Sequence, residues 1–174
     1  MSGIEQYITS IPDFPKPGIV FRDITSIFSD ADGLKLAVDE MCALLEDVDF
    51  DVIAGLESRG FLFGMPMAYN FHKPFIPIRK KGRLPRETVE ATYDLEYGSA
   101  TIEVHKEDVK PGAKVVLVDD LIATGGTLEA AAGLMEKLGA KVVKVVCLME
   151  LKGLKGRERI QGYPVETVIS YEGT

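Results

Sequence analysis

Several chemistries are excluded by what this chain has little of. Cysteine occurs twice in 174 residues, as Cys42 and Cys147. Each lies in an apolar stretch and neither belongs to a paired motif, so buried structural thiols in a reducing compartment are expected, not a disulfide, a metal site or a nucleophile. Histidine is equally sparse: His72 and His105 match no catalytic or ligand spacing and read as structural or surface residues. No apolar run approaches the ~20 residues that a bilayer span needs, and MSGIEQYITS carries no cleavable signal pattern, so a soluble cytoplasmic protein with no membrane partner is expected. The net charge of −7 opposes non-specific adhesion to nucleic acid, which depends on neutralising phosphates with Lys and Arg. Two phosphate-binding signatures are missing as well, G-x-x-x-x-G-K-[ST] and G-x-G-x-x-G. Internal repeats, low-complexity tracts and linkers are also lacking.

The chain does have 46% apolar residues, enough for one α/β domain that buries about 70% of its unfolded surface. Helical periodicity predicts a helix from about Gly33 to Glu46 and another near Gly60 to Tyr69, with strands at Asp51 to Gly55 and Pro74 to Ile78. Thr101, Glu103 and His105 alternate with Ile102 and Val104 as in a half-exposed strand, predicted to form a hairpin with the preceding segment. Val142 to Leu151 reads as a buried strand, Leu154 to Ile160 as a short helix and Val165 to Tyr171 as a final strand. This alternation predicts a mostly parallel, doubly wound sheet.

The most informative stretch is Val115 to Thr127, VVLVDDLIATGGT. Val115 to Val118 form a continuous apolar run, the pattern of a parallel strand covered on both faces, and Asp119 and Asp120 are expected at its carboxyl end, where open α/β sheets bind ligands. Leu128, Ala131, Ala132, Met135 and Leu138 then recur at helical spacing, with Gly139 as a stop, so Thr124 to Thr127 falls at a helix N-terminus whose free N–H groups favour an anion. T-G-G-T offers two glycines for close backbone approach and two hydroxyls, enough for one terminal phosphate. Alone, it could equally be a glycine turn capping a helix. The carboxylate pair just before it favours a ligand with ribose hydroxyls and a phosphate monoester.

This stretch resembles the phosphoribosyl diphosphate signature of the type I phosphoribosyltransferases. The resemblance implies a phosphoribosyltransferase fold over residues 1–174: a central doubly wound sheet, a base-binding hood from about residues 1–30 and a mobile β-hairpin lid at about 79–105. It also implies that Asp119 and Asp120 hold the ribose diol and that Ala123, Thr124, Gly125, Gly126 and Thr127 hold the 5′-phosphate. LESRGFLFG, from Leu56 to Gly64, repeats the strand-to-helix arrangement and resembles the family's diphosphate loop. That likeness assigns Arg59 to the leaving diphosphate and implies a cis peptide between Glu57 and Ser58. The competing reading is an Arg59 paired with Glu57 on a solvated turn.

Positive charge gathers in Arg79, Lys80, Lys81, Arg83 and Arg86, flanked by Gly82 and Pro85, which reads as a mobile basic loop. Lys80 and Arg83 match the family's diphosphate contacts, with Arg79 beside them. Cations that close over a departing diphosphate stabilise the transition state more than the ground state. Lys81 and Arg86 individually also suit a solvated hairpin. Tyr93-Asp94-Leu95-Glu96-Tyr97-Gly98 resembles the branch of the family that acts on adenine, which makes Glu96 the catalytic carboxylate, managing proton traffic at the purine's imidazole edge. FPKPGIVFRDIT, from Phe14 to Thr25, resembles that branch's hood: Phe21 would stack on the purine while the backbone of Val20 and Arg22 reads its edge. As plain structure it is an extended turn with Phe21 in the core.

Together these resemblances imply transfer of the 5-phosphoribosyl group from 5-phospho-α-D-ribose 1-diphosphate to adenine, giving AMP and diphosphate in purine salvage. Magnesium would be held mainly by substrate oxygens and water, and the family suggests a homodimer. The alternatives are a sister activity on hypoxanthine, guanine or xanthine, or a non-catalytic sensor of phosphoribosyl diphosphate.

Overall fold

The computed structural model describes residues 3–95 and 97–173. Its N-terminal hairpin pairs β1 (Thr9–Pro12) with β2 (Val20–Asp23), antiparallel, as a separate two-stranded sheet. The short α1 (Thr25–Phe28) leads to α2 (Ala31–Ala43), whose first turn is capped by the Asp30 carboxylate accepting from the amides of Asp32 and Gly33, each at 2.9 Å. Then follow β3 (Val52–Leu56), α3 (Arg59–Phe71), β4 (Phe75–Lys80), β5 (Thr88–Asp94), β6 (Ser99–His105), β7 (Lys114–Ile122), α4 (Gly126–Lys137), β8 (Lys141–Leu151), α5 (Gly156–Arg159) and β9 (Val165–Tyr171). His72, left-handed at φ 54°, ends α3, a structural role.

One sheet runs β5-β6-β4-β3-β7-β8-β9, parallel from β4 through β9 and antiparallel at β5 and β6. The apolar run in β7 shows why both faces are covered. Val115 and Leu117 pack with Leu128, Ala131 and Met135 of α4, whereas Val116 and Val118 pack with Met41 of α2 and with Phe63 and Met67 of α3. Strand alternation thus sends successive residues of one apolar run into two different cores. Val89, Ala91 and Tyr93 seat the β5–β6 hairpin on the α4 side.

Three expectations need correction. The aspartates do not end their strand, because β7 continues to Ile122. Arg79 and Lys80 belong to β4, not to a loop. Glu103 and His105 are 4% and 7% exposed, since the segment after β4 folds back over the face of β6 that alternation had left to solvent.

Candidate active site

The sequence pieces converge at the carboxyl ends of β3, β4 and β7. Gly60, in the first turn of α3, permits the approach of that helix to β7: a Cβ there would lie 2.9 Å from the Val118 carbonyl oxygen and 3.1 Å from Asp119 Oδ1. Arg59 thereby reaches Asp120, its Nε donating to Oδ2 at 2.5 Å. The proposed Arg59–Glu57 pair does not form. Glu57 instead accepts from Arg79 Nη2 at 3.0 Å and from the Lys80 amide at 2.7 Å. Burial alone would raise the Glu57 pKa, but these two donors and the nearby Arg79 and Arg83 charges outweigh it and hold the carboxyl below its ordinary value. The Glu57–Ser58 peptide is cis, as is Phe14–Pro15.

Asp119 and Asp120 face different surroundings. Asp120 lines a cavity of about 100 Å³ together with Val20, Phe21, Arg22, Arg59 and Met149. Asp119 lines a second, about 80 Å³, formed by Leu121, Ala123, Thr124, Gly125, Gly126, Thr127 and Leu128. Burial, and then the like charge of Asp120, push the Asp119 carboxyl well above the usual range. Its strand neighbour Cys147 is fully buried, and burial followed by the two aspartates pushes its thiol up as well, so it is an inert structural thiol.

The T-G-G-T loop leads into α4, with Gly125 at the N-cap in left-handed conformation, φ 82°. Its backbone lies against Gly156 at the start of α5: a Cβ on Gly125 would fall 2.4 Å from the Gly156 carbonyl oxygen, and one on Gly156 would fall 2.4 Å from that of Ala123. Gly156 was not found from the sequence, and neither was Arg159. A Cβ at Gly126 would lie 3.1 Å from Arg159 Nη1, and the Arg159 guanidinium pairs with Glu129 of α4 at 2.7 Å. No local signal marks either residue, because both contacts are made between distant segments.

In the hood, Phe21 meets Phe14 edge-on at 5.3 Å and is half-buried where it lines the cavity. It is therefore not a core residue. Arg22 sits over the Tyr171 ring at 4.1 Å and also donates to Ser10 Oγ. Among the described residues Lys80 and Arg83 have no side-chain partner. Lys81 pairs with Glu90 at 3.2 Å, and Arg86 is taken up by Glu107 and by Asp108, the latter at 2.8 Å. Glu96 lies outside the described residues; near it in sequence, the Leu95 amide donates to the Gly98 carbonyl at 2.9 Å.

A larger cavity, about 680 Å³, opens at the amino ends of β3, β4 and β7, at the opposite end of the sheet. Two of its carboxylates are already engaged: Asp51 accepts from the Lys114 amide at 2.8 Å, and Asp108 is held by Arg86. The smaller pair of cavities, which bring Asp119, Asp120, Arg59 and the T-G-G-T backbone together, is the better candidate.

A family model described as phosphoribosyl transferase domain matches residues 34–172. An adenine phosphoribosyltransferase from Agathobacter rectalis is 64% identical, the alignment covering 99% of both chains. Among solved structures, an adenine phosphoribosyltransferase from Thermoanaerobacter pseudethanolicus superposes with a TM-score of 0.92 at 46% identity, covering 97% of this chain and 98% of that one. The Saccharomyces cerevisiae enzyme, complexed with an imino-altritol bisphosphate and adenine, gives 0.90 at 41% identity, covering 95% of this chain and 96% of that one. The chain belongs to the phosphoribosyltransferase family, in its adenine phosphoribosyltransferase branch.

Proposed function

We propose that this chain transfers the 5-phosphoribosyl group from 5-phospho-α-D-ribose 1-diphosphate to adenine. The bond from C1′ to the diphosphate oxygen breaks, a bond from C1′ to adenine N9 forms, and the N9 proton leaves, so AMP and diphosphate are the products. The observation that carries this reading is the placement of Asp119 and Asp120 on one strand with a cavity beside each, the T-G-G-T backbone lining one and the hood residues lining the other.

In this reading the amides of Ala123 to Thr127 hold the 5′-phosphate at the start of α4, where the helix dipole adds to the hydrogen bonds. Asp119 and Asp120 accept from the ribose hydroxyls. Lys80 and Arg83, whose side chains make no hydrogen bond or ion pair among the described residues, meet the charge that gathers on the departing diphosphate. Arg59 joins them through its Nη groups while its Nε stays on Asp120. Arg79, tied to Glu57, orients this group and contacts diphosphate only from that position. Phe21 stacks on adenine, and the backbone of Val20 and Arg22 reads its edge. Glu96 handles the purine proton.

Magnesium fits this donor set as a passenger of the substrate. It would be held mainly by diphosphate and ribose oxygens and water, with no protein side chain as a direct ligand, and would help neutralise the diphosphate. A homodimer is supported by α3, which exposes Leu62, Met65 and Tyr69 at helical spacing along one side. No described helix is long and apolar enough to cross a membrane.

The deciding experiment offers adenine, hypoxanthine and guanine separately with the phosphoribosyl donor and magnesium. AMP from adenine alone is expected; IMP or GMP formed without AMP would replace this reading with a sister activity, and no product at all would favour a sensor.

A further inference from the structure

The basic segment after β4 is fixed at the level of its backbone. The Lys80 amide donates to Glu57 Oε2 at 2.7 Å and the Lys81 amide to the Thr101 carbonyl at 3.0 Å. The next three amides, of Gly82, Arg83 and Leu84, all donate to one atom, Glu103 Oε1, at 3.1, 3.1 and 2.9 Å. Beyond Pro85, the Arg86 amide donates to His105 Nε2 at 3.3 Å. Gly82, at φ 87°, supplies the left-handed turn that aims these successive N–H groups at a single point.

Glu103 itself stands inside the sheet, opposite Arg79 on β4 and Glu90 on β5. It has no basic side-chain partner among the described residues, and its charge is met by main-chain dipoles. Burial works against the ionised form, but the Leu84, Gly82 and Arg83 amides and the Thr88 hydroxyl more than offset it, leaving the carboxyl below its ordinary value. A buried carboxylate so satisfied is a geometric constraint: it fixes the path of residues 82–84 and hence where the side chain of Arg83, and of Lys80 just before it, begins.

We infer that Glu103 is a positioning residue for the phosphoribosyl donor, holding residues 82–84 so that Lys80 and Arg83 are presented to the diphosphate. This rests on the reading that Lys80 and Arg83 meet the diphosphate. Residues 80–86 are on this account a preset cationic rim. Presetting spares the donor the cost of ordering a cationic loop as it binds.

The test compares Glu103→Gln with Lys80→Ala and Arg83→Ala in the full-length enzyme, measuring kcat and the KM of each substrate well below the unfolding temperature. Hydrogen bonds to a charged acceptor are roughly tenfold stronger in equilibrium terms than those to a neutral one. Glu103→Gln is therefore expected to raise the KM for the phosphoribosyl donor about tenfold while that for adenine stays within about twofold. Hydrogen exchange should speed up at residues 81–86 and not across the core. If Lys80→Ala and Arg83→Ala raise the donor KM but Glu103→Gln does not, positioning by Glu103 is refuted and the diphosphate reading stands. If neither cation variant raises it, the diphosphate reading fails and takes this inference with it. A Glu103→Gln protein whose two KM values rise together, with exchange faster throughout, assigns Glu103 to general stability and overturns the inference.

Discussion

Gly156 makes no expected contact with any ligand, yet Gly156→Ala should disable the sugar-phosphate end of the site. The added Cβ would lie 2.4 Å from the Ala123 carbonyl oxygen and 2.7 Å from Ile122 Cγ2. The first distance is roughly 1 Å short of an ordinary contact. The obstacle is backbone, so no rotamer change relieves it. Either α5 withdraws from the loop or the loop withdraws from α5. Overpacking of this kind costs about 1–3 kcal/mol of stability. The functional cost should be larger than that suggests, because Ala123 to Thr127 form the proposed 5′-phosphate cradle. A misplacement of about 1 Å in a positioning element costs on the order of 100-fold. The phosphate is remote from the reacting C1′, so its binding energy serves to align the reacting atoms and kcat should fall together with donor affinity.

Gly133→Ala provides an internal control. Gly133 is exposed inside α4, and a Cβ there meets nothing within 4 Å. That variant should gain about 0.5–1 kcal/mol, the usual difference between alanine and glycine in a helix, with unchanged kinetics. The assay is AMP formation at saturating adenine and varied phosphoribosyl donor, with urea unfolding in parallel. The expected result is a kcat/KM for the donor about 100-fold lower in Gly156→Ala, beyond anything its stability loss explains at the assay temperature. A Gly156→Ala enzyme within about threefold of the parent would refute the reasoning, because the loop would then tolerate a displacement that the close packing forbids.

Three other perturbations test separate parts of the site. Arg59→Leu leaves Asp120, 6% exposed, without its ion-pair partner; since Arg59 is itself half exposed, about 1–2 kcal/mol of stability at pH 7 should be lost, less than for a fully buried pair, and an unchanged urea midpoint would contradict the pairing. Glu96→Gln should lower kcat about 100-fold while the donor KM stays within about threefold, and full turnover would remove Glu96 from the chemistry. Glu103 has a folded pKa below its unfolded 4.5, so the stability it contributes is complete above that value and is lost as pH falls through the lower folded one. The Tm gap between the parent and Glu103→Gln should accordingly be constant at neutral pH and narrow progressively as pH falls below about 4.5; a gap that does not narrow at all in acid would mean that the charge of Glu103 is not what holds the segment.

What could be read directly from the sequence was what depends on period and on local composition. The run Val115 to Val118 could only be a strand covered on both faces, and Leu128 to Met135 could only turn one apolar side toward it, so the doubly wound sheet followed. Glu103 and His105 were misread for a physical reason: alternation identifies which residues share a face, not whether that face is later covered. Here the cover is the backbone of residues 82–86, and it needed acceptors for its amides. The competing reading of Arg59 paired it with Glu57, two residues away, but α3 packing through Gly60 brings it instead to Asp120. The Gly156 requirement arises from a loop in another part of the chain, and only the fold brings the two together.

The aspartate pair changes most in meaning once the fold is known. As a sequence, Asp119-Asp120 is a double carboxylate with one job, gripping a diol. In a strand, adjacent residues leave by opposite faces, and here one carboxylate lines the T-G-G-T cavity while the other lines the hood cavity with Arg59. Leu121 of β7 lines both cavities, so the proposed sugar phosphate would span them past this residue, with its 5′-phosphate on the Asp119 side and C1′ toward the hood. Catalysis then depends on the helix ends staying fixed relative to that strand, which is what Gly60 at α3 and Gly156 at α5 permit through backbone contacts that exclude a side chain. The glycines that matter most thus include two outside the T-G-G-T motif, because the cradle is only as well placed as the helices packed against it.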